Sequence, residues 1–204
     1  MKLYFSPGAC SLASHIVARE AGLDIELDQV NLGNKETASG KDFRTINAKG
    51  CVPALELDNG ELLTEGPAIM QYLADRNPAS GLAPAHDSIA RYRLQEMLGF
   101  ISTELHKRYS PLFNPNSLDS VRAESIAALQ RQYGLLDKRL AEHEWLVGDH
   151  FTAADAYLFT VTNWAAHVGL DLSAFPAVLT FQKRVAARPA VQAALGAEGL
   201  IPKQ

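Results

Sequence analysis

The chain has 204 residues, 47% of them hydrophobic and 21% charged, the make-up of a globular protein that can bury a sizeable core. A formal charge of −4 removes the electrostatic case for binding nucleic acid or anionic membrane. No apolar run approaches the ~20 residues that span a bilayer, no signal-peptide pattern opens the chain, and the two cysteines, at 10 and 51, make no disulfide framework. A reducing cytoplasm is therefore the expected compartment. No Cys/His cluster has metal-ligand spacing, so no metal or bound cofactor is expected.

In chain order, Lys2–Phe5 is apolar and aromatic and predicts a strand. Leu12, His15, Ile16 and Arg19 recur at helical spacing, predicting a helix over 11–21 that Gly22 stops. A second strand is expected over 25–30. Two more, 54–57 and 61–63, flank the Asp58-Asn59-Gly60 turn, a strong hairpin signal. Gly66-Pro67 starts a further helix, with proline at its favoured first position. The order is β-α-β-(short helix)-β-β-α. The Pro/Gly/Ser-rich stretch 77–84 is a linker. Beyond it strand signals vanish, and helices are expected over about 88–113, 119–143, 153–167, 176–187 and 189–196. Thr152 and Asp155, three apart, form a capping-box signature before the third of these. The fold class is an α/β first domain followed by an all-α second one.

The residue that carries the chemistry is Cys10, placed where a strand and turn give way to a helix. Unpaired N–H groups and the positive end of the backbone dipole converge there. A thiol so placed is expected to fall from a pKa of ~8.5 into the range ~3.5–7.5. A fall of about two would favour the anion by roughly 2.7 kcal/mol. The same donors would hold the thiolate of a bound thiol ligand. A lone cysteine is more often a small buried hydrophobe, but its placement at a helix start outweighs that reading. Residues 11–13 include no second cysteine, so Cys10 works with an external thiol.

Other candidates are weaker alone. A cis Val52–Pro53 bond would turn backbone groups outward toward an extended ligand, although cis is only about 5–6% of X–Pro bonds, which favours trans. Glu65, at a helix start, could accept from an ammonium group or simply complement the helix dipole. On the 88–113 helix, Leu94, Leu98, Ile101 and Leu105 form a core stripe, while Gly99, Thr103 and His106 fall on a polar face. A histidine on such a face is more often solvated; here Lys107 and Arg108 follow, adding positive potential. Trp164 and His167 border a hydrophobic cavity or belong to the core.

Five stretches, 4–12, 52–55, 63–69, 104–107 and 151–159, occur in an order and spacing that resembles the glutathione transferase family, in particular its bacterial beta class and members linked to biphenyl breakdown. The resemblance implies a thioredoxin-like N-terminal domain at 1–80, an all-helical domain at 87–204 covering a hydrophobic-substrate pocket, and a homodimer. By the same resemblance, Cys10 lies within bonding distance of the glutathione sulfur and forms mixed disulfides with it. Lys35 meets the glycyl carboxylate, Val52 pairs with the cysteinyl residue ahead of a cis Pro53, and Glu65 and Gly66 hold the γ-glutamyl end. Thr103, Glu104 and His106 match positions where the helical domain reaches the site, His106 close to Cys10. Thr152 and Asp155 match a structural capping motif.

Three positions depart from the family pattern. Gly66 stands where serine is frequent, Gly99 where a longer polar residue helps hold glutathione, and Cys51 where glutamine is common. Cys51 is a candidate resolving thiol or a spectator. The resemblance implies an enzyme that conjugates glutathione, its co-substrate, to small hydrophobic electrophiles in detoxification, and exchanges mixed disulfides through Cys10. Reductive dehalogenation combines the two. The rival is a non-catalytic carrier or interaction protein on the same fold. A thioredoxin-type reductase is weakened by the missing C-x-x-C.

Overall fold

A computed structural model describes residues 1–201, which divide into two units: Met1–Ala83 with the segment from Ala187 onward, and Pro84–Ala186. The first unit is built around β1 (Lys2–Phe5), which pairs in parallel with β2 (Glu26–Asn31) and antiparallel with β4 (Ala54–Glu56). The edge strands are β3 (Glu36–Thr37) and β5 (Leu62–Thr64), giving the order β3-β2-β1-β4-β5. A central strand is covered on both faces, which is why β1 reads as an unbroken apolar run; Leu3, Tyr4 and Phe5 are all buried.

Tyr4, Val30, Phe43, Val52 and Ala54 form one buried cluster, against which Ala9, Ile46 and Leu62 pack. The remaining helices of the unit are α1 (Ser11–Glu20), α2 (Phe43–Ile46), α3 (Gly66–Asp75) and α10 (Pro189–Ala197), and α1 packs against both α3 and α10. Asp42 caps α2 by accepting from the Arg44 N–H at 2.9 Å. The β4–β5 hairpin closes with Gly60 left-handed at φ 84° and its N–H on Leu57 O at 2.9 Å, a type I turn followed by a glycine bulge.

The second unit is helical: α4 (Ile89–Phe100), a π-helical segment (Ile101–His106), α5 (Lys107–Phe113), α6 (Asp119–Glu142), α7 (Ala153–Thr162), α8 (Trp164–Val168) and α9 (Pro176–Ala186). At the start of α7, Asp155 reaches back to the Thr152 N–H at 2.8 Å and takes the Thr152 hydroxyl at 2.8 Å, the expected capping box. Its other oxygen accepts the Leu146 N–H at 2.9 Å, fixing the preceding loop. Among the described residues no helix is long and apolar enough to cross a membrane.

The structure differs from the sequence reading in four places. β3 is unforeseen, because two residues carry no periodicity. The expected 153–167 helix breaks at Asn163 into α7 and α8. The expected single helix over 88–113 contains the π segment. Each π bond spans one residue more than an α bond, and one inserted residue turns everything after it by roughly 100°. Finally, the helical unit does not run to the C-terminus. α10 belongs to the first unit, where Arg188 clasps Glu20 at 2.6 and 2.9 Å.

Candidate functional site

Cys10 is the N-cap of α1, with φ −57° and ψ −21°, and it makes no side-chain cap. Its thiol donates to the Val52 carbonyl at 3.0 Å. The expected amide influence is present: the backbone N–H groups of Cys10 and Ser11 act on the sulfur in favour of an anion. Burial acts more strongly in the other direction and pushes the thiol up to about 12, with Cys51 and Glu65 adding to the rise. The expected low-pKa thiolate is therefore corrected. Cys10 is a protonated S–H donor, because its half-buried site lacks the solvent that an exposed helix-start cysteine keeps.

The loop that presents Cys10 is braced from several directions. The Ser11 hydroxyl accepts from Ser6 N–H at 3.1 Å and donates to Ser6 O at 3.2 Å. Gly8 holds a left-handed φ of 68°, which a side chain would strain, and its N–H donates to Glu198 Oε2 at 2.9 Å. Glu198 Oε1 is 2.9 Å from His15 Nδ1, while the Arg19 Nε donates to His15 Nε2 at 3.3 Å. With the arginine donor at Nε2, the Nδ1–H faces Glu198, so His15 donates to that carboxylate. Sequence reasoning marks His15 only as a helical-spacing residue and misses Glu198, which is 190 residues from Gly8.

Opposite Cys10, the Val52–Pro53 bond is cis, as the resemblance implies and the base rate does not. The Val52 side chain is buried in the Tyr4–Phe43 cluster, which anchors the backbone carbonyl that meets Cys10. Lys35 and Glu65 are two of three non-glycine residues with positive φ among the described residues, at 63° and 71°. Such strain persists where surrounding structure imposes it, and it gathers at ligand-binding positions. Lys35 donates to Gly50 O at 3.0 Å. Glu65 receives the Lys49 ammonium at 2.6 Å, and Lys49 also donates to Thr64 Oγ1 at 3.0 Å. An ammonium thus occupies the seat expected for one, supplied by a lysine that no sequence signal marks.

The family departures have different spatial meanings. A Cβ at Gly66 would meet the Pro53 ring at 3.8 Å, an ordinary contact, so space does not require glycine there. Nothing lies within 4 Å of a Cβ at Gly99, which faces open space.

In the second unit, His106 is not solvated as a polar-face residue would be. The π segment turns it toward the interior, where Nδ1 lies 2.7 Å from the Tyr157 hydroxyl and the ring sits edge-on to Trp164 at 4.9 Å. Burial, reinforced by Lys107, pushes His106 down to about 4, so it is neutral at physiological pH. Tyr109 and Phe113 stand edge-on to Trp164 at 5.6 and 5.8 Å. Trp164 is thus the ring on which His106, Tyr109 and Phe113 meet. Tyr109 lies fully in the core, where its hydroxyl meets Tyr133 at 2.8 Å, while Phe113 is 51% exposed. Thr103 is exposed and donates back to Gly99 O at 3.2 Å, and Glu104 lies 3.8 Å from Arg108. His167, on α8, is exposed.

The first unit thus gathers Cys10, Val52, cis Pro53, Glu65 and Gly66 around one helix start, with Lys35 attached through Gly50. It is a thioredoxin-like sheet presenting a thiol, and the second unit is an all-helical body bearing a neutral histidine among aromatic rings. The glutathione S-transferase N-terminal domain matches residues 8–76, and the glutathione S-transferase C-terminal domain matches residues 100–189. The glutathione S-transferase GstA of Escherichia coli O157:H7 is 48% identical over 98% of this chain and 100% of its own. A beta-class glutathione S-transferase of Sphingomonas chungbukensis superposes with a TM-score of 0.96 at 47% identity, covering 98% of this chain and 100% of that one. A sphingomonad glutathione S-transferase solved with glutathione gives 0.95 at 50% identity over the same shares. The chain belongs to the glutathione S-transferase family, with beta-class members among its near structural neighbours, and it is a transferase enzyme of that family.

Proposed function

We propose that the protein conjugates glutathione to small hydrophobic electrophiles, with the glutathione sulfur seated as a thiolate at the start of α1. The observation that carries this reading is the state of Cys10. Two backbone N–H groups converge on its sulfur, yet the thiol stays protonated and looks for an acceptor, now the Val52 carbonyl. A glutathione thiolate beside it is a better acceptor than a carbonyl, since bonds to an anion are shorter and stronger. Cys10 then donates its S–H, and the anion resides on the ligand, which lowers the pKa of the attacking thiol. Glu65 and the Gly66 amide receive the γ-glutamyl end, where Lys49 now stands, and Lys35 receives the glycyl carboxylate. A relative at 50% identity solved with glutathione supports that ligand. His106 serves as a neutral donor, its orientation held by Tyr157.

A second reading, exchange of mixed disulfides, rests on the same sulfur. Cys10 attacks the sulfur of a glutathionylated substrate, and a second glutathione releases it. Reductive dehalogenation joins the two modes: glutathione attacks carbon, and a thiolate then attacks the sulfur of the adduct. A detoxifying role in the cytoplasm follows from the electrophile class and the free thiols. Retention on immobilised glutathione, followed by rates with an aryl halide and with hydroxyethyl disulfide, tests the proposal. Cys10→Ala is expected to lose exchange far more completely than conjugation. Equal retention of both would show that Cys10 is not the exchanging thiol, and binding without turnover would favour a carrier.

The assembly we propose is a homodimer. A groove of about 770 Å³ between α4 and α6 is lined by Ile89, Met97, Phe100, Leu135 and Leu136, with Arg93, Glu96 and Arg139 among its charged members. Ile89 is 73% exposed and Leu135 59%. An apolar groove edged by both signs of charge suits a second copy related by a twofold axis.

A further inference from the structure

Two free thiols flank Val52, and they differ in the way that a two-thiol redox pair requires. Cys10 holds its sulfur 3.0 Å from the Val52 carbonyl. Cys51, one residue before Val52 in the chain, is exposed, and its S–H reaches the Lys49 carbonyl at 3.3 Å. The nearness of Cys51 adds to the upward push on the Cys10 thiol. Asn47 Nδ2 donates to the Cys51 carbonyl at 2.8 Å, which pins the backbone there while the Cys51 side chain stands exposed. One sulfur is therefore sheltered beside the α1 amides, and the other stands in solvent next to it, bound to nothing stronger than a carbonyl.

We propose that Cys51 is the resolving thiol of Cys10, converting a glutathione mixed disulfide into an intramolecular Cys10–Cys51 disulfide. The proposal rests on the exchange reading, in which Cys10 acquires glutathione. The oxidant is a glutathione disulfide. In the first step Cys10 gives its proton to solvent, its sulfur attacks one sulfur of the glutathione disulfide, the S–S bond breaks, and glutathione thiolate leaves. In the second step the Cys51 thiolate attacks Cys10 Sγ, the Cys10–glutathione bond breaks, and a second glutathione thiolate leaves. In sum, two protein thiols lose two protons and two electrons, and one disulfide becomes two glutathione thiols. Two further glutathione molecules reverse the process.

A thiol tethered next to its target acts at an effective concentration of about mM or above without having to diffuse in. Cys51 therefore competes with free glutathione for Cys10. The linked form, like Cys10→Ala, has no S–H to donate to a bound thiolate, so oxidation slows conjugation and stops exchange.

The test is incubation of the whole protein with excess glutathione disulfide, followed by intact mass and a non-reducing peptide map. Wild type is expected to end lower in mass by two hydrogens, with a linked Cys10–Cys51 peptide and no bound glutathione. Its conjugation activity falls to about the level of Cys10→Ala and recovers with dithiothreitol. Cys51→Ser is expected to stop at one glutathione on Cys10. Wild type that keeps glutathione on Cys10, or that carries it on Cys51 with Cys10 free, overturns the resolving role. In the first of these cases exchange at Cys10 still stands. If wild type shows no linkage and Cys51→Ser takes up no glutathione on Cys10, the exchange reading falls with it.

Discussion

At Cys10 two backbone N–H groups favour an anion while the surrounding protein disfavours it, and burial prevails by holding the thiol up to about 12. Helix-start placement alone points to a reactive thiolate, because sequence shows the donors but not how much water remains around the sulfur. The exposed Cys51 is the control within the same chain. With iodoacetamide at pH 7, Cys51 is expected to be alkylated first and Cys10 slowly. The Cys10 rate should then climb by about tenfold per pH unit as the thiolate fraction grows. Mass spectrometry of the peptides reads both rates. A Cys10 that matched Cys51 at neutral pH would mean that the amides, and not burial, set its charge.

At the scale of elements, long and strongly periodic pieces were legible: β1, α1, the β4–β5 hairpin, α3 and most helices of the second unit appear within a residue or two of where the pattern puts them. The π segment was not, because a face drawn at 3.6 residues per turn assumes that no bond in the helix skips a residue. That assumption put His106 on a polar face, whereas the structure packs it against Tyr157 and Trp164. Of the candidate site, Cys10 and Glu65 announce themselves as helix starts. Lys35 came through resemblance, and Val52 through its place before Pro53 together with that resemblance. Lys49, Tyr157 and Glu198 left no local trace, since their partners lie 16, 51 and 190 residues away.

The displaced His106 has a consequence for stability. Its folded pKa, about 4, lies below its unfolded value near 6.5. The unfolded chain therefore binds the proton first as pH falls. The contribution of neutral His106 is complete above pH 6.5 and is lost between pH 6.5 and 4, by up to about 3 kcal/mol. The gap in unfolding free energy between wild type and His106→Gln should shrink across that window. A gap that stayed constant with pH would show that the ring is not held neutral by burial.

For the molecule as a whole, the α4–α6 groove carries the testable claim. Leu135→Glu places a charge at its apolar face and is expected to shift the protein from dimer to monomer in sedimentation, with the helical content unchanged. An unchanged sedimentation coefficient would move the contact elsewhere. The last stretch of chain has a different significance. Its Arg188 and Glu198 complete the body begun by Met1–Ala83, and Leu200 comes within 3.5 Å of the position a Cβ on Gly8 would take. During synthesis the carboxylate that clamps the Cys10 turn follows Gly8 by 190 residues, long after the sheet has left the ribosome. Domains generally fold as units in order of emergence, but here the thiol loop acquires this brace only after the helical unit Pro84–Ala186 has been made, so a chain interrupted before Glu198 carries the cysteine without its clamp.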